Sequence, residues 1–173
     1  MVRTHDGEFL VLLVYVDDIL ITGTPLSQIE EVKRSLDTAF TIKDLGNLTY
    51  FIGIEVLRTA NGIFLSQKKY IKDILSDAAM LDCIAAPAPL SCGLPHLRVS
   101  LHILKYLKGT LDHGLWYKAD DTDLQVTAYS DSDWSSCQFS SRSLSAYAVF
   151  LGSNMISWKT KKQHSVSKSS VEA

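Results

Sequence analysis

The sequence has few cysteines and no long apolar run. The three cysteines, Cys83, Cys92 and Cys137, are too few and too scattered for a disulfide framework or a zinc site. The longest apolar run, residues 9–16, is far shorter than the roughly 20 residues that a membrane-spanning helix needs. We therefore expect a soluble, intracellular chain that has no membrane partner.

An excess of charge of one sign is also absent. Seventeen Lys and Arg stand against 19 Asp and Glu, a formal net charge of −2, so the overall charge offers no case for nucleic-acid binding. Nine Gly and four Pro are too few for collagen-like or proline-rich low-complexity sequence. Because 46% of the residues are hydrophobic, the composition is that of a globular chain with room for one domain or two incomplete ones.

The hydrophobic patterning predicts a chain of mixed helices and strands. Two apolar runs, 9–16 and 19–23, predict an antiparallel hairpin with its turn at Asp17-Asp18. A helix should follow, opened by a capping box over Ser27–Glu30. The remaining predicted elements are a strand through Tyr50–Val56, a hairpin turn at Asn61-Gly62, helices over 67–81 and 96–108, and strands over 124–130, 144–151 and 155–159. Three prolines in residues 84–95 predict a linker.

Asp17 and Asp18 place two carboxylates inside an otherwise apolar segment, which is costly unless they are solvated or paired with cations. One interpretation is a polar turn, because Asp is common in turns. The other is a divalent-metal site, since Mg²⁺ takes hard oxygen ligands and two such ions stabilise phosphoryl transfer. For the bare pair the polar turn is the commoner structure.

A second acidic pair, Asp131 and Asp133, follows a predicted strand. The pair is either a strand-terminating turn or a set of metal ligands, with Asp131 projecting from a central strand. Because successive side chains alternate between the faces of a strand, we expect both carboxylates on one face if the strand is regular, and on different faces if it becomes irregular after Ser130.

A basic segment near the C-terminus contains no acidic residue: Lys159, Lys161, Lys162, His164 and Lys168. Such a segment is either a solvated surface or a set of phosphate contacts, since lysines neutralise the nucleic-acid backbone. Trp134 and Trp158 are either buried strand residues or stacking platforms for bases.

Six long strings cover nearly the whole chain: LLVYVDDILITG, FTIKDLGNLTYFIGIEV, GIFLSQKKYIKDIL, HLRVSLHILKYLKGTLDHGLWY, AYSDSDW and RSLSAYAVFLGSNMISWKTKKQHSVSKSSVEA. Together, and in this order, they closely resemble the polyprotein of copia-type LTR retrotransposons. Within the first string, YVDD is similar to the metal-binding motif of reverse-transcriptase palms.

The resemblance implies an α+β chain: a partial reverse-transcriptase palm of β-hairpins and helices, followed by the first strands of a ribonuclease H-like fold. It places a palm and primer-grip fragment in 1–83, a linker and connection remnant in 84–113, and the N-terminal part of the ribonuclease H-like domain in 114–173. It implies three catalytic metal ligands, Asp17, Asp18 and Asp131. It also implies Mg²⁺ as the cofactor, with no other small-molecule cofactor, and a primer–template or RNA/DNA hybrid as the partner, contacted by Lys159, Lys161, Lys162 and Lys168.

The departures from the family pattern lead us to expect an inactive chain. The family's third polymerase Asp lies upstream of YVDD and has no counterpart here, and its catalytic nuclease Glu lies beyond Ala173, so Glu172 matches a non-catalytic position. Between Leu90 and His96 the string SCGLP replaces a longer segment. We expect Mg²⁺ binding to be weak or absent. We also expect residues 1–83 and 114–173 to form two separate sheets, which leaves Asp131 too far from Asp17 and Asp18 to share an ion. The alternative function is a non-catalytic module that binds nucleic acid or protein.

Overall fold

The computed structural model describes residues 2–5, 8–88, 96–119, 124–137 and 140–172. It divides the chain into two compact units, Met1–Ile54 and Glu55–Ala173. The mixture of helices and strands confirms the α+β class. Among the helices in these ranges, none is long and apolar enough to cross a membrane.

The first unit is built on the predicted hairpin. Its elements are β1 (Val2–His5), β2 (Glu8–Tyr15), β3 (Asp18–Thr24), α1 (Leu26–Phe40) and β4 (Tyr50–Phe51). Strands β1, β2 and β3 form an antiparallel sheet in that order. The two apolar runs thus pair as predicted, with Tyr15 opposite Asp18 across the turn.

The predicted capping box at the start of α1 is wrong. The helix begins at Leu26, and its N-cap is Pro25, which makes no side-chain capping bond. Ser27 therefore lies inside the first turn rather than ahead of it. The Glu30 carboxylate accepts a hydrogen bond from Lys33 Nζ at 2.7 Å instead of turning back to the cap.

The second unit contains two sheets and two helices. Its elements are β5 (Ile54–Thr59), β6 (Gly62–Ser66), α2 (Lys68–Asp77), α3 (His96–Gly109), β7 (Gly114–Lys118), β8 (Val126–Asp133), β9 (Leu144–Leu151), β10 (Asn154–Lys162) and a 3₁₀ turn (Ser170–Glu172). Strands β5, β6 and β7 are neighbours in one sheet, and the other sheet has the order β10-β9-β8. Every strand pair in both is antiparallel across the described residues.

The Asn61-Gly62 hairpin is confirmed, with Thr59 opposite Gly62 in the β5–β6 register. The predicted strand over Tyr50–Val56 is interrupted, however. Ile52 has a φ of +48° and Gly53 a φ of +77°, and both lie in a turn between β4 and β5. Left-handed backbone cannot continue a strand, so the alternating apolar pattern is split between two elements.

Strand β7 was not predicted, and it changes the expected arrangement of sheets. It pairs with β6, and Trp116 lies opposite Phe64 with ring centroids 6.0 Å apart. The prediction that residues 1–83 and 114–173 form separate sheets is therefore wrong for Gly114–Lys118. The two compact units also divide after Ile54 rather than at residue 83. The boundaries of the palm fragment at residue 83 and of the ribonuclease H-like part at residue 114 stay predictions.

Helix α2 supplies the most buried apolar side chain among the described residues, Leu75, which is 1% exposed. The start of the helix is held by Glu55 Oε2, which accepts a hydrogen bond from Lys69 N at 2.9 Å. Lys68 Nζ lies 2.6 Å from Asp112 Oδ1. This hydrogen-bonded ion pair raises the pKa of Lys68 and lowers the pKa of Asp112.

The predicted linker 84–95 is irregular over its described residues, 84–88, and residues 89–95 lie outside the described ranges. Its backbone packs on α3: Ala86 N donates to Lys105 O at 3.1 Å, and His102 Nε2 lies 2.8 Å from Ala88 O. The described part of the linker is thus attached to a helix rather than free.

Candidate functional site

Asp17 and Asp18 lie at the tip of the β2–β3 hairpin. Tyr15 pairs with Asp18, which leaves Val16 and Asp17 as a two-residue loop. Both carboxylates are exposed, as the sequence predicted. Val16 has a φ of +50° and is 79% exposed. Positive φ is rare for a β-branched residue and costs on the order of 1–3 kcal/mol, a kind of strain that clusters at functional sites.

Asp17 and Asp18 supply the hard oxygen donors that Mg²⁺ prefers. Across the described ranges, however, no three His, Cys, Asp or Glu side chains come together as a possible metal site. Because Mg²⁺ loses its water ligands reluctantly, two carboxylates without a third protein ligand hold it weakly. The described residues therefore offer two neighbouring carboxylates here and no complete metal site.

Asp131 and Asp133 lie on β8, which is an edge strand of the sheet that the structure describes and not a central one. The placement of Asp131 on a central strand is therefore wrong for this chain. The register from Val126 to Asp133 is regular, with Asp131 opposite Ala146 and Asp133 opposite Leu144. Both carboxylates thus belong to one face, as predicted for a regular strand, and both are exposed.

The four lysines expected to bind nucleic acid do not form one cluster. By strand register, Lys162 is on the face that carries Asp131, whereas Lys159 and Lys161 are on the opposite face. Lys162 Nζ lies 2.9 Å from Cys137 Sγ. Lys168 follows the strand and is exposed.

The two tryptophans are not core residues. Trp158 is 58% exposed and Trp134 is 49% exposed, so the interpretation of both as buried strand residues is wrong. Trp134 Nε1 donates to Ser167 O at 3.1 Å, which fixes the indole beside the segment after β10.

Sequence reasoning missed a groove beside Lys161. It has a volume of about 410 Å³ and is lined by Ser145, Lys161, Gln163, His164 and Ser165. Because side chains alternate along a strand, the sequence alone does predict that Ser145 and Tyr147 share one side of β9 and that Lys159 and Lys161 share one side of β10. Only the β9–β10 register brings the two pairs together.

Comparison with known proteins places these features in a family. The family model for reverse transcriptase (RNA-dependent DNA polymerase) matches residues 1–92. An uncharacterised mitochondrial protein of Arabidopsis thaliana is 35% identical, over 94% of this chain and 88% of its own length. The retrovirus-related Pol polyprotein from transposon RE1 of the same species is 32% identical over 94% of this chain. The retrovirus-related Pol polyprotein from transposon TNT 1-94 of Nicotiana tabacum is 25% identical over 99% of this chain.

The two polyproteins are much longer than this chain, which spans 14% of the first and 17% of the second. The alignments to the first two relatives run over 211 positions, more than the 173 residues of the chain, so both relatives carry residues within the aligned region that this chain lacks. No solved structure matches the chain significantly. The family model and the aligned relatives together show that the chain belongs to the reverse transcriptase (RNA-dependent DNA polymerase) family of copia-type retrotransposon Pol polyproteins.

Proposed function

We propose that the chain is a fragment of a copia-type Pol polyprotein whose parent activities are RNA-directed DNA polymerisation and cleavage of the RNA in a hybrid, and that the chain itself is inactive in both. The observation that carries the polymerase assignment is the β2–β3 hairpin. It presents Asp17 and Asp18 to solvent at a strained two-residue turn, within the part of the chain that the family model matches.

The proposal assigns residues 1–83 to the polymerase part, 84–113 to a connecting remnant and 114–173 to the start of a ribonuclease H-like domain. The assignment of the last part is supported by the exposed Asp131 on the antiparallel strand β8. A primer–template or an RNA/DNA hybrid would be the partner of the parent protein.

The metal in the parent activities would be Mg²⁺, which when bound positions and activates the oxygens of a phosphoryl transfer. Asp17 and Asp18 would contribute two ligands to the polymerase site and Asp131 one ligand to the nuclease site. Each set is smaller than the three or more convergent carboxylates that fix the geometry of a two-metal site. Misplacement of a reacting group by about 1 Å costs roughly 10²-fold in rate.

A protein of these 173 residues, supplied with Mg²⁺ or Mn²⁺, should extend a primer on an RNA template no faster than a reaction without protein. It should also leave the RNA of a labelled hybrid uncut. The reason is the incomplete ligand set of each site. Gel-resolved primer extension and hybrid cleavage, run beside an active reverse transcriptase, measure both.

The matched variants for this assay are Asp18→Asn at the hairpin tip and Asp37→Asn on α1, where the residue is also exposed. Extension by the unchanged chain that needs Mg²⁺ and is lost with Asp18→Asn, but kept with Asp37→Asn, contradicts the proposed inactivity. Activity unaffected by either variant identifies a contaminating polymerase.

A further inference from the structure

The register of β8, β9 and β10 places an exposed aromatic patch on the sheet face that carries Asp131. Tyr129 lies opposite Ala148, and Ala148 lies opposite Trp158. The two aromatic side chains therefore stand on the outer strands of this sheet with a small residue between them. Tyr129 is 64% exposed and Trp158 is 58% exposed. A contiguous exposed apolar surface of this kind commonly marks an interaction site.

The patch belongs to a face that extends along all three strands. The Tyr129 ring is held by an edge-to-face contact with Phe150, with ring centroids 5.9 Å apart and an interplanar angle of 85°. We call the whole surface the aromatic face. It has four rows across the sheet: Asp133, Leu144 and Lys162; Asp131, Ala146 and Thr160; Tyr129, Ala148 and Trp158; and Thr127, Phe150 and Met155.

Two opposite charges lie at the ends of one row of the aromatic face. Asp133 is on β8 and Lys162 is on β10, and both lie opposite Leu144. Because neighbouring strands are about 4.8 Å apart, the two residues are separated by about 10 Å. Both are exposed, and within the described ranges neither forms an ion pair. The ammonium of Lys162 has three donors, so its contact with Cys137 Sγ leaves donors for a partner.

A second copy of this chain offers the surface that complements these charges. When two copies stack face to face about a two-fold axis parallel to the strands, β8 of one copy lies over β10 of the other and equivalent rows align. Asp133 then faces Lys162 of the second copy. In the same way Tyr129 faces Trp158 of the second copy, and the symmetry forms each contact twice. An axis across the strands would instead place Asp133 over Thr127 of the second copy, which leaves the charge without a partner.

We propose that the chain forms a symmetric dimer through the aromatic face, with β8 of each copy stacked on β10 of the other. The spacing of strands and rows gives the face an area of roughly 400 Å² on each copy. The total buried area is thus below the roughly 1,200 Å² of standard stable interfaces, so the dimer is weak and reversible. The dimer covers Asp131 and needs no metal, and it therefore goes beyond the polymerase and nuclease assignments.

Sedimentation velocity of the 173-residue chain in EDTA, from about 1 μM to 1 mM, tests the proposal in the range of weak complexes. We expect a reversible equilibrium between monomer and dimer. Trp158→Ala should weaken the dimer by about ten-fold or more, because tryptophans near the centre of an interface carry much of the binding energy. Tyr147→Ala is the matched control, since Tyr147 is exposed on the opposite face of the same sheet, and it should leave the dimer unchanged.

Charge reversal tests the orientation of the two copies. Asp133→Lys and Lys162→Glu should each weaken the dimer by about ten-fold or more, because each places like charges opposite one another. Mixing the two variant proteins should restore dimerisation, since every lysine of one protein then faces an acidic side chain of the other. Only contact between copies predicts this recovery. Lys72→Glu, on α2, makes the same charge change at another exposed position and should have no effect, and circular dichroism verifies that each variant is folded.

Three results would overturn the proposal. One is a chain that stays monomeric at the highest concentration. Another is equal dimer affinity for Trp158→Ala and Tyr147→Ala, because that would place the contact on another surface, such as the edge of β8. The third is a mixture of the Asp133→Lys and Lys162→Glu proteins that dimerises no better than either protein alone, because that would exclude the stacking of β8 on β10. None of these measurements depends on catalysis, so failure here leaves the polymerase and nuclease assignments standing.

Discussion

Asp18→Asn should abolish primer extension when the β2–β3 hairpin of this chain replaces its counterpart in a Pol polyprotein that has first been measured to extend a primer in the same assay. The experiment grafts residues 8–24 into the Pol polyprotein of transposon RE1, which is 32% identical to this chain. The graft itself should extend a primer on RNA, because the hairpin presents both carboxylates at its tip. Removing one of them should cost at least about 10²-fold in extension rate, since the reacting groups lose their positioning.

Glu8→Gln is the matched control within the same graft. It also replaces an exposed carboxylate by an amide, but at the opposite end of the hairpin from the turn. We expect the graft with Glu8→Gln to keep its activity. Extension by the Asp18→Asn graft within a few-fold of the unchanged graft would refute the assignment of this hairpin to the polymerase metal site.

Gly62→Ala should destabilise the second unit by about 3 kcal/mol or more. Gly62 has a φ of +145°, which side chains rarely adopt, and a Cβ at this position would overlap the backbone oxygen of Tyr117 on the neighbouring strand β7. The substitution thus strains the β5–β6 turn and pushes β6 and β7 apart. Urea unfolding followed by tryptophan fluorescence measures the loss, because Trp116 lies on β7.

Gly46→Ala is the control for the backbone part of this effect. Gly46 also has a positive φ, +76°, but no atom lies within 4 Å of the Cβ position. Gly46 lies in the first unit, which contains no tryptophan, so its unfolding is followed by circular dichroism. The substitution should cost only about 1–2 kcal/mol, the usual penalty of left-handed backbone for a residue with a Cβ. If Gly62→Ala is no more destabilising than Gly46→Ala, the close approach of β6 and β7 is not what requires glycine.

The elements that were predicted well are those with a strong local signal. The β2–β3 hairpin follows from two apolar runs around a polar pair, and the β5–β6 hairpin from Asn61-Gly62. Helices α2 and α3 and strands β8, β9 and β10 follow from periodicity: β9 has the predicted ends, and the other four have one or both ends displaced by one to four residues. In each case the preference for a helix, strand or turn comes from residues that are neighbours in the sequence, so the sequence pattern is sufficient to predict the element.

The predictions that failed depend on more distant residues. Strand β7 is only five residues long and is stabilised by pairing with β6, far away in the sequence. The capping box failed because α1 starts at Leu26, after Pro25, and this start, two residues earlier than the box requires, moves Ser27 out of the cap. The left-handed turn at Ile52 and Gly53 interrupts an alternation that looks continuous in the sequence.

For function, the sequence alone determined the family and the two acidic pairs, because residue identity and order carry that information. The regular register of β8 decided that Asp131 and Asp133 share a face, because alternation alone left open an irregularity after Ser130. Only the tertiary structure decided that Lys159 and Lys161 lie together with Tyr147, on the face opposite Asp131 and Lys162. That arrangement depends on the register between strands. Hydrogen bonds across the sheet fix this register, and the pattern of a single strand does not contain it.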